Sequence, residues 1–289
     1  MATSRDILRL TAFSSDPAGG NPAGVLLDAR GLNDDELQSV AAEVGYAETA
    51  FLIEPELGGS PRHSRIRYFS PISEVPFCGH ATIATAVALT ERNGAGTFTF
   101  ETPIGPVTID TAVDSNGAPT ATFTSVEPSV TSIDHAVLTA LLGLISLDSS
   151  ALDGRYPAML SYAGNTHPIV VLQEQAAFDE FTFDPSAMRT LMDTQGWAGT
   201  VTILHPLDDS TFEARNLFPV GAITEDPATG SAAASTGGYL RELDPAATPR
   251  RITIVQGRHV GRPSVLEVDI PAGGGIAVTG TAVPITDPR

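Results

Sequence analysis

The sequence contains no lysine; all 16 of its basic residues are arginine. That excludes Schiff-base chemistry, which needs a lysine amine. It also excludes a P-loop, whose phosphate-binding lysine is part of the motif. Cysteine is nearly as scarce. With Cys78 alone, no intramolecular disulfide can form and no thiolate zinc site is expected. The six histidines, at positions 63, 80, 135, 167, 205 and 259, include no His-x3-His pair, so their spacing supports no metal site. No apolar run approaches the roughly 20 residues of a membrane span. The first ten residues carry Asp6 and lack a long apolar stretch, so no secretory leader is expected and a cytoplasmic location is the default. Positive charge is in deficit: the formal net charge is −18. A nucleic-acid partner is therefore disfavoured, because phosphate binding draws on clustered lysine and arginine. The acid excess reads as a solubility property of the surface.

What is present is a globular composition, 42% hydrophobic and 17% charged. Its 289 residues suffice for two ordinary domains or one large one. The chain also repeats itself at long period. Arg67-Tyr-Phe-Ser-Pro71 precedes Glu74-Val-Pro76-Phe-Cys78-Gly79-His80-Ala81, and Arg215-Asn-Leu-Phe-Pro219 precedes Glu225-Asp226-Pro227-Ala-Thr229-Gly230-Ser231-Ala232. Each copy continues as an alanine- and threonine-rich run of helical composition, 81–89 and 232–240. Upstream, Gly20-Asn21-Pro22 and Gly164-Asn165-Thr166-His167 each precede an apolar run. A helix-like stretch follows in each half, 34–43 with Asn33 as cap and 185–194 with Asp184 as cap and Pro185 at the first helical position. Glu48 then aligns with Gly199 ahead of the strands 50–53 and 201–204. Alternating strands close each half, at 97–101, 107–110, 252–255 and 265–270. The expected fold is α+β: two pseudo-twofold-related domains, each a curved, mostly antiparallel sheet wrapped around a central helix. The boundary is expected near Pro128, giving halves 1–127 and 128–275.

Two helix N-termini facing one cleft would bind a small anionic substrate, because the first N–H groups of a helix are unpaired and its dipole favours negative charge there. Gly79 and Gly230 let the backbone approach such a ligand. The same groups would stabilise an enolate-like intermediate. The side chains that could carry a proton are those at which the halves differ: Glu48 against Gly199, His80 against Ser231, Asp226 against Val75. A single carboxylate can take a proton from one carbon and return it to another. Taken one at a time, the same residues also read as a surface acid, helix caps, a turn former and a buried small thiol.

Together these stretches resemble the phenazine-biosynthesis isomerase family, the PhzF-like proteins, within the diaminopimelate-epimerase-like fold. The similar segments are Gly20-Asn21-Pro22-Ala-Gly-Val25, Ala47-Glu48-Thr49-Ala-Phe51, Phe69-Ser-Pro71 with Glu74 to Thr82, Glu225 to Ala232, and Gln256-Gly-Arg with Gly261-Arg-Pro-Ser264. The resemblance implies that the last strand, about 276–289, returns to the first domain, and that the protein is a homodimer. It implies isomerisation of a trans-2,3-dihydro-3-hydroxyanthranilate-like acid without a cofactor or metal. In that reading Glu48 shuttles the proton, His80 and Asp226 support substrate and proton transfer, and Ser231 binds substrate together with Asn21, Gly79 and Gly230. Related racemases use a cysteine from each half; here Cys78 faces Thr229 in the alignment, which disfavours a two-thiol mechanism. The competing readings are a non-catalytic small-acid-binding protein of the same fold, an epimerase acting on another substrate, and a thiol hydrolase pairing Cys78 with His80.

Overall fold

The computed structural model describes residues 6–220 and 223–285. The outer ends of the expected first half and of its returning strand, 1–5 and 286–289, lie outside the described residues, as do five of the ten residues on which the expectation of no leader rests. The chain separates into two units, Met1–Phe123 with Thr279–Arg289, and Thr124–Val278.

In the first unit the order is β1 (Leu8–Ala12), β2 (Asn21–Leu26), α1 (Asp34–Val44), β3 (Glu48–Glu54), β4 (His63–Phe69), β5 (Glu74–Val75), α2 (Gly79–Asn93), β6 (Gly96–Thr102), β7 (Gly105–Val113) and β8 (Pro119–Thr124). In the second it is β9 (Ser129–Ser132), α3 (His135–Leu144), β10 (Met159–Tyr162), β11 (Thr166–Val171), α4 (Gln175–Glu180), α5 (Pro185–Gln195), β12 (Val201–Pro206), β13 (Thr211–Val220), β14 (Ile223–Asp226), α6 (Gly230–Leu243), β15 (Arg250–Gln256) and β16 (Ser264–Ile270). The last strand, β17 (Ala277–Pro284), pairs with β1.

The ladders repeat. Along β1, β2, β3, β4, β6 and β7 the pairings run antiparallel, parallel, antiparallel, parallel, antiparallel. Along β10, β11, β12, β13, β15 and β16 they run in the same order. Two short strands, β5 and β14, hang on β4 and β13 as antiparallel hairpins. The fold is mixed α and β with sheet dominating. Asn21 is the first residue of β2, paired with Ala12.

Each unit has one helix buried along nearly its whole length. In α2 every residue from His80 to Thr90 is buried, and the helix packs on β1, β2, β3 and β7. Its small side chains allow that close approach, and its threonines hide their hydroxyls by donating one turn back: Thr82 to the Cys78 carbonyl and Thr85 to the Ala81 carbonyl, both 2.7 Å. Helix α6 is buried likewise and packs on β9, β10, β11 and β16. The amphipathic helices lie outside these. Leu37 and Ala41 of α1 share a core with Leu26, Phe51 and Phe69, and Met188 and Met192 of α5 share one with Trp197, Val201 and Ile203.

Candidate active site

Among the described residues the five longer helices divide by how they begin. Asn33 caps α1 in a full capping box, Asp134 caps α3 through the N–H groups of Ala136 and Val137, and Asp184 caps α5 through those of Ser186 and Ala187. The two buried helices have no side-chain cap: Cys78 precedes α2 and Thr229 precedes α6 without bonding the first turn. In α2 the first intrahelical bond is from Thr82 N–H to the Cys78 carbonyl, 3.0 Å. The N–H groups of Gly79, His80 and Ala81 therefore stand ahead of the ladder. A Cβ on Gly79 would meet nothing closer than Phe77 at 3.9 Å, so the backbone there is open to a ligand.

Glu48 reaches this helix start from the first position of β3. Its Oε2 accepts from the Cys78 thiol at 3.6 Å and lies 3.5 Å from His80 Nε2, while Cys78 Sγ lies 3.3 Å from His80 Nδ1. Cys78 and His80 are buried and Glu48 is half-buried. The turn is held from beneath. The Thr82 hydroxyl proton goes to the Cys78 carbonyl, so the Tyr68 hydroxyl, 2.6 Å away, donates to Thr82 Oγ1. Burial pushes the Tyr68 hydroxyl far above its ordinary pKa, keeping it a donor. Asn21, buried on β2, stands two residues ahead of Ala23, the ladder partner of Glu48.

The second unit gathers Asp226, Gly230 and Ser231 at the start of α6. The Thr229 hydroxyl donates to Asp226 Oδ2 at 2.5 Å. Gln256 clasps both residues: its Nε2 donates to the Asp226 carbonyl at 2.6 Å and to Thr229 Oγ1 at 3.0 Å, and its Oε1 accepts from Thr229 N–H at 3.2 Å. Gly257 makes that reach possible. It has φ +84°, and a Cβ on it would lie 2.6 Å from the Pro227 carbonyl oxygen. Ser231 Oγ lies 3.1 Å from Nε2 of the fully buried His167, whose Nδ1 meets Thr200. Burial pushes the His167 pKa down to about 4, against the smaller opposing effect of its bond to the Thr200 backbone. The ring is neutral near pH 7.

The ladders correct one residue of the repeat. Val25 pairs with Ala50 and Ile169 with Thr202; Ala50 pairs with Tyr68 and Thr202 with Asn216. With Gly20 set on Gly164 and Arg67 on Arg215, both flanking strands make Thr202 the counterpart of Ala50. The counterpart of Glu48 is then Thr200, not Gly199. The connection from the helix-ending glycine, Gly45 or Gly196, is one residue longer in the second unit. Gly199 has a packing reason instead: a Cβ there would lie 2.6 Å from His167 Cε1.

His167 and Gln256 are not among the residues predicted from sequence, although both lie inside the matching stretches. A buried polar residue on a strand carries no spacing signature. The lone cysteine, in turn, does not exclude a mixed-donor metal set. Glu48, Cys78 and His80 each offer a ligand atom within 4.8 Å of the others, as do Asp179, Glu213 and His259.

The family of phenazine biosynthesis-like proteins matches residues 10–287. An uncharacterized isomerase of Mesorhizobium japonicum is 32% identical over 98% of this chain and 97% of its own. The trans-2,3-dihydro-3-hydroxyanthranilate isomerase of Pseudomonas chlororaphis is 28% identical over 89% of this chain and 87% of its own. Among solved structures, a phenazine biosynthesis protein of the PhzF family from Bacillus anthracis superposes with a TM-score of 0.82 at 26% identity, covering 97% of this chain and 96% of its own. The chain belongs to the family of phenazine biosynthesis-like proteins, and it is an isomerase.

Proposed function

We propose that the protein is a cofactor-independent isomerase that moves a proton within a small carboxylic acid resembling trans-2,3-dihydro-3-hydroxyanthranilate, with Glu48 as the single acid/base. The observation that carries this reading is the contact of Glu48 with Cys78 and His80 at a buried helix start that has no side-chain cap. The Glu48 carboxylate takes a proton from a carbon beside the substrate's carboxylate or carbonyl. The N–H groups at the start of α2 bear the negative charge that develops. The protonated Glu48 then delivers the same proton to another carbon, leaving the enzyme as it began. His80 orients the carboxylate. Asp226, clasped by Thr229 and Gln256, and Ser231 take the supporting roles that the family resemblance implies, with Asn21, Gly79 and Gly230 as binding residues. The single cysteine supports this over a two-thiol epimerase. The same resemblance leads us to propose a homodimer, which sedimentation of the purified protein would test; a cytoplasmic location remains the default expectation from sequence.

The test is turnover of a cyclohexadiene acid of this class in deuterated water, followed by NMR of its carbon-bound hydrogens. The parent should move or exchange one hydrogen, and Glu48→Gln should be slower by about 10²- to 10⁴-fold. Equal turnover by Glu48→Gln would overturn the role of Glu48. Thermal stabilisation by such acids with no turnover of any of them would favour a binding protein instead.

A further inference from the structure

We infer that Glu48, Cys78 and His80 form a binding site for a thiophilic divalent cation such as Zn2+, and that a metal seated there blocks the isomerase; the blocking role rests on the function proposed for Glu48. The separations of the donor atoms carry the inference. Cys78 Sγ to Glu48 Oε2 is 3.6 Å, Cys78 Sγ to His80 Nε2 is 3.8 Å, and His80 Nε2 to Glu48 Oε2 is 3.5 Å. Zinc bonds of about 2.3 Å to sulfur and about 2.0–2.2 Å to nitrogen and oxygen, at tetrahedral angles, set the ligand atoms about 3.4–3.6 Å apart. The three donors therefore stand within a few tenths of an ångström of the edges of one face of a zinc tetrahedron. Cys78 Sγ lies nearer His80 Nδ1, 3.3 Å, than Nε2, 3.8 Å, so an ion seated on Nε2 needs the imidazole to turn about its side-chain bonds.

The chemistry of the set selects the ion. Thiolate, imidazole and carboxylate together suit zinc or cadmium, whereas magnesium and calcium want oxygen alone. Three protein ligands leave a fourth position for water, and the open space at Gly79 gives it room. The other group of three donors among the described residues shows what an occupied slot looks like. There Arg258 already bonds both Asp179 and Glu213, and His259 Nε2 lies 2.9 Å from Asp179. A guanidinium stands where a cation would go. No arginine bonds Glu48 among the interactions of the described residues.

Binding exchanges a proton for the ion: the Cys78 S–H bond breaks, a sulfur–metal bond forms and the proton leaves to solvent. Affinity should therefore rise with pH. The Glu48 oxygen that ligates the ion can no longer accept a proton from carbon, so the metal and the proposed reaction exclude each other.

The experiment is a Cd2+ titration of the metal-free, full-length protein, followed by ultraviolet thiolate-to-cadmium charge-transfer absorption. Because Cys78 is the one cysteine, any such band reports on it alone. One equivalent should saturate the band in the parent, and Cys78→Ser should show none. Glu48→Gln and His80→Gln should each bind at least tenfold more weakly, since removing a partner one shell further out already costs about 10- to 100-fold. Zn2+ should abolish turnover by the parent, and a chelator should restore it. No band, or a band of unchanged affinity in both variants, would overturn the site, and turnover by the metal-free protein would then leave the isomerase reading standing. Metal-free protein that is inert and gains turnover with Zn2+ would overturn the blocking role and the single-glutamate reading, with the band still reporting the site.

Discussion

The starts of α2 and α6 are built alike and wired in opposite senses. In the first unit the imidazole is on the helix, at His80, and reaches a carboxylate at the head of β3. In the second it is on a strand, at His167, and reaches the hydroxyl of Ser231 on the helix. The residue that replaces Glu48, Thr200, is consumed by the scaffold: its hydroxyl donates to Asn216 Oδ1 at 2.6 Å, and Asn216 also accepts from Thr202 at 2.8 Å. Glu48 has a thiol and an imidazole about it, two groups that can give and take protons. The difference teaches that a repeated scaffold keeps the uncapped helix start in both units, while the carboxylate proposed to carry the proton stands in one. The largest expected effect follows. Glu48→Gln should slow turnover about 10²- to 10⁴-fold, whereas Thr200→Val should act on stability, through the hydrogen bond to Asn216 that it removes. Rates measured by NMR in deuterated water for both variants would break the comparison if Thr200→Val proved as slow as Glu48→Gln.

The repeat was legible because it is written in residues with distinct jobs. The paired Arg67–Glu74 and Arg215–Glu225 stand out in sequence, and each pair closes an ion pair that fastens the loop ahead of its helix, at 2.7 Å in the first unit and 2.5 Å in the second. Helix caps were readable for the same reason: Asn33 and Asp184 bond the N–H groups their positions imply. The cluster itself was half legible. Glu48, His80 and Cys78 stand out as mismatches between halves, as Asp226 does in the second unit, but the contact of Glu48 with Cys78 and His80 depends on how β3 lies against α2. The misalignment at Gly199 has the same origin. Sequence anchors on the glycines that end α1 and α5, and an extra residue in the following connection is invisible until the ladders are counted. Helices α3 and α4 also went unread. Leu138, Leu141 and Leu142 in α3 belong to the core under α5, and the repeat offered no partner segment against which to notice them.

The two arginine–glutamate pairs sharpen the comparison in energetic terms. Arg215 and Glu225 are nearly enclosed, 7% and 10% exposed, and the guanidinium also donates to the carbonyls of Phe178 and Phe181, 3.0 Å each. Arg67 and Glu74 are 22% and 36% exposed. Glu225→Ala strands a buried cation and should destabilise by about 3–5 kcal/mol; Glu74→Ala, screened by solvent, should cost about 1 kcal/mol or less. Urea unfolding of the two variants measures this, and equal losses would show that the loops are fastened alike.

A smaller effect separates the imidazoles by pH. An exposed histidine of the unfolded chain titrates near 6.5, and His167 in the folded protein near 4. Above pH 6.5 both states are neutral there and stability is unaffected. Between 6.5 and 4 the unfolded chain binds a proton that the folded chain refuses, so stability falls with pH by as much as about 3 kcal/mol. Carboxylates titrate over part of the same range, so the comparison is with His167→Gln. The parent should lose more stability than that variant on passing from pH 6.5 to 4, read by denaturant midpoints; parallel losses would mean that His167 takes up its proton without opening the fold.

The smallest effect tests whether the extra residue before β12 exists to seat that ring. Gly199 lies against His167, with a notional Cβ 2.6 Å from Cε1, 2.7 Å from Nε2 and 2.7 Å from the Thr166 carbonyl oxygen. One of those neighbours is backbone and the other is a ring held at both ends by Thr200 and Ser231, so neither can yield cheaply. Gly199→Ala should destabilise by about 1–3 kcal/mol, the range for overpacking a filled interior. It should also loosen the Ser231 contact, because the ring can move only away from the strand. In the first unit the equivalent positions hold Ala47 and Ala23 where the second has Gly199 and His167. Thermal unfolding of Gly199→Ala beside Gly199→Ala/His167→Ala decides the matter: the double variant should recover the overpacking part of the loss, and a loss unchanged by removing the ring would trace to the Thr166 carbonyl alone.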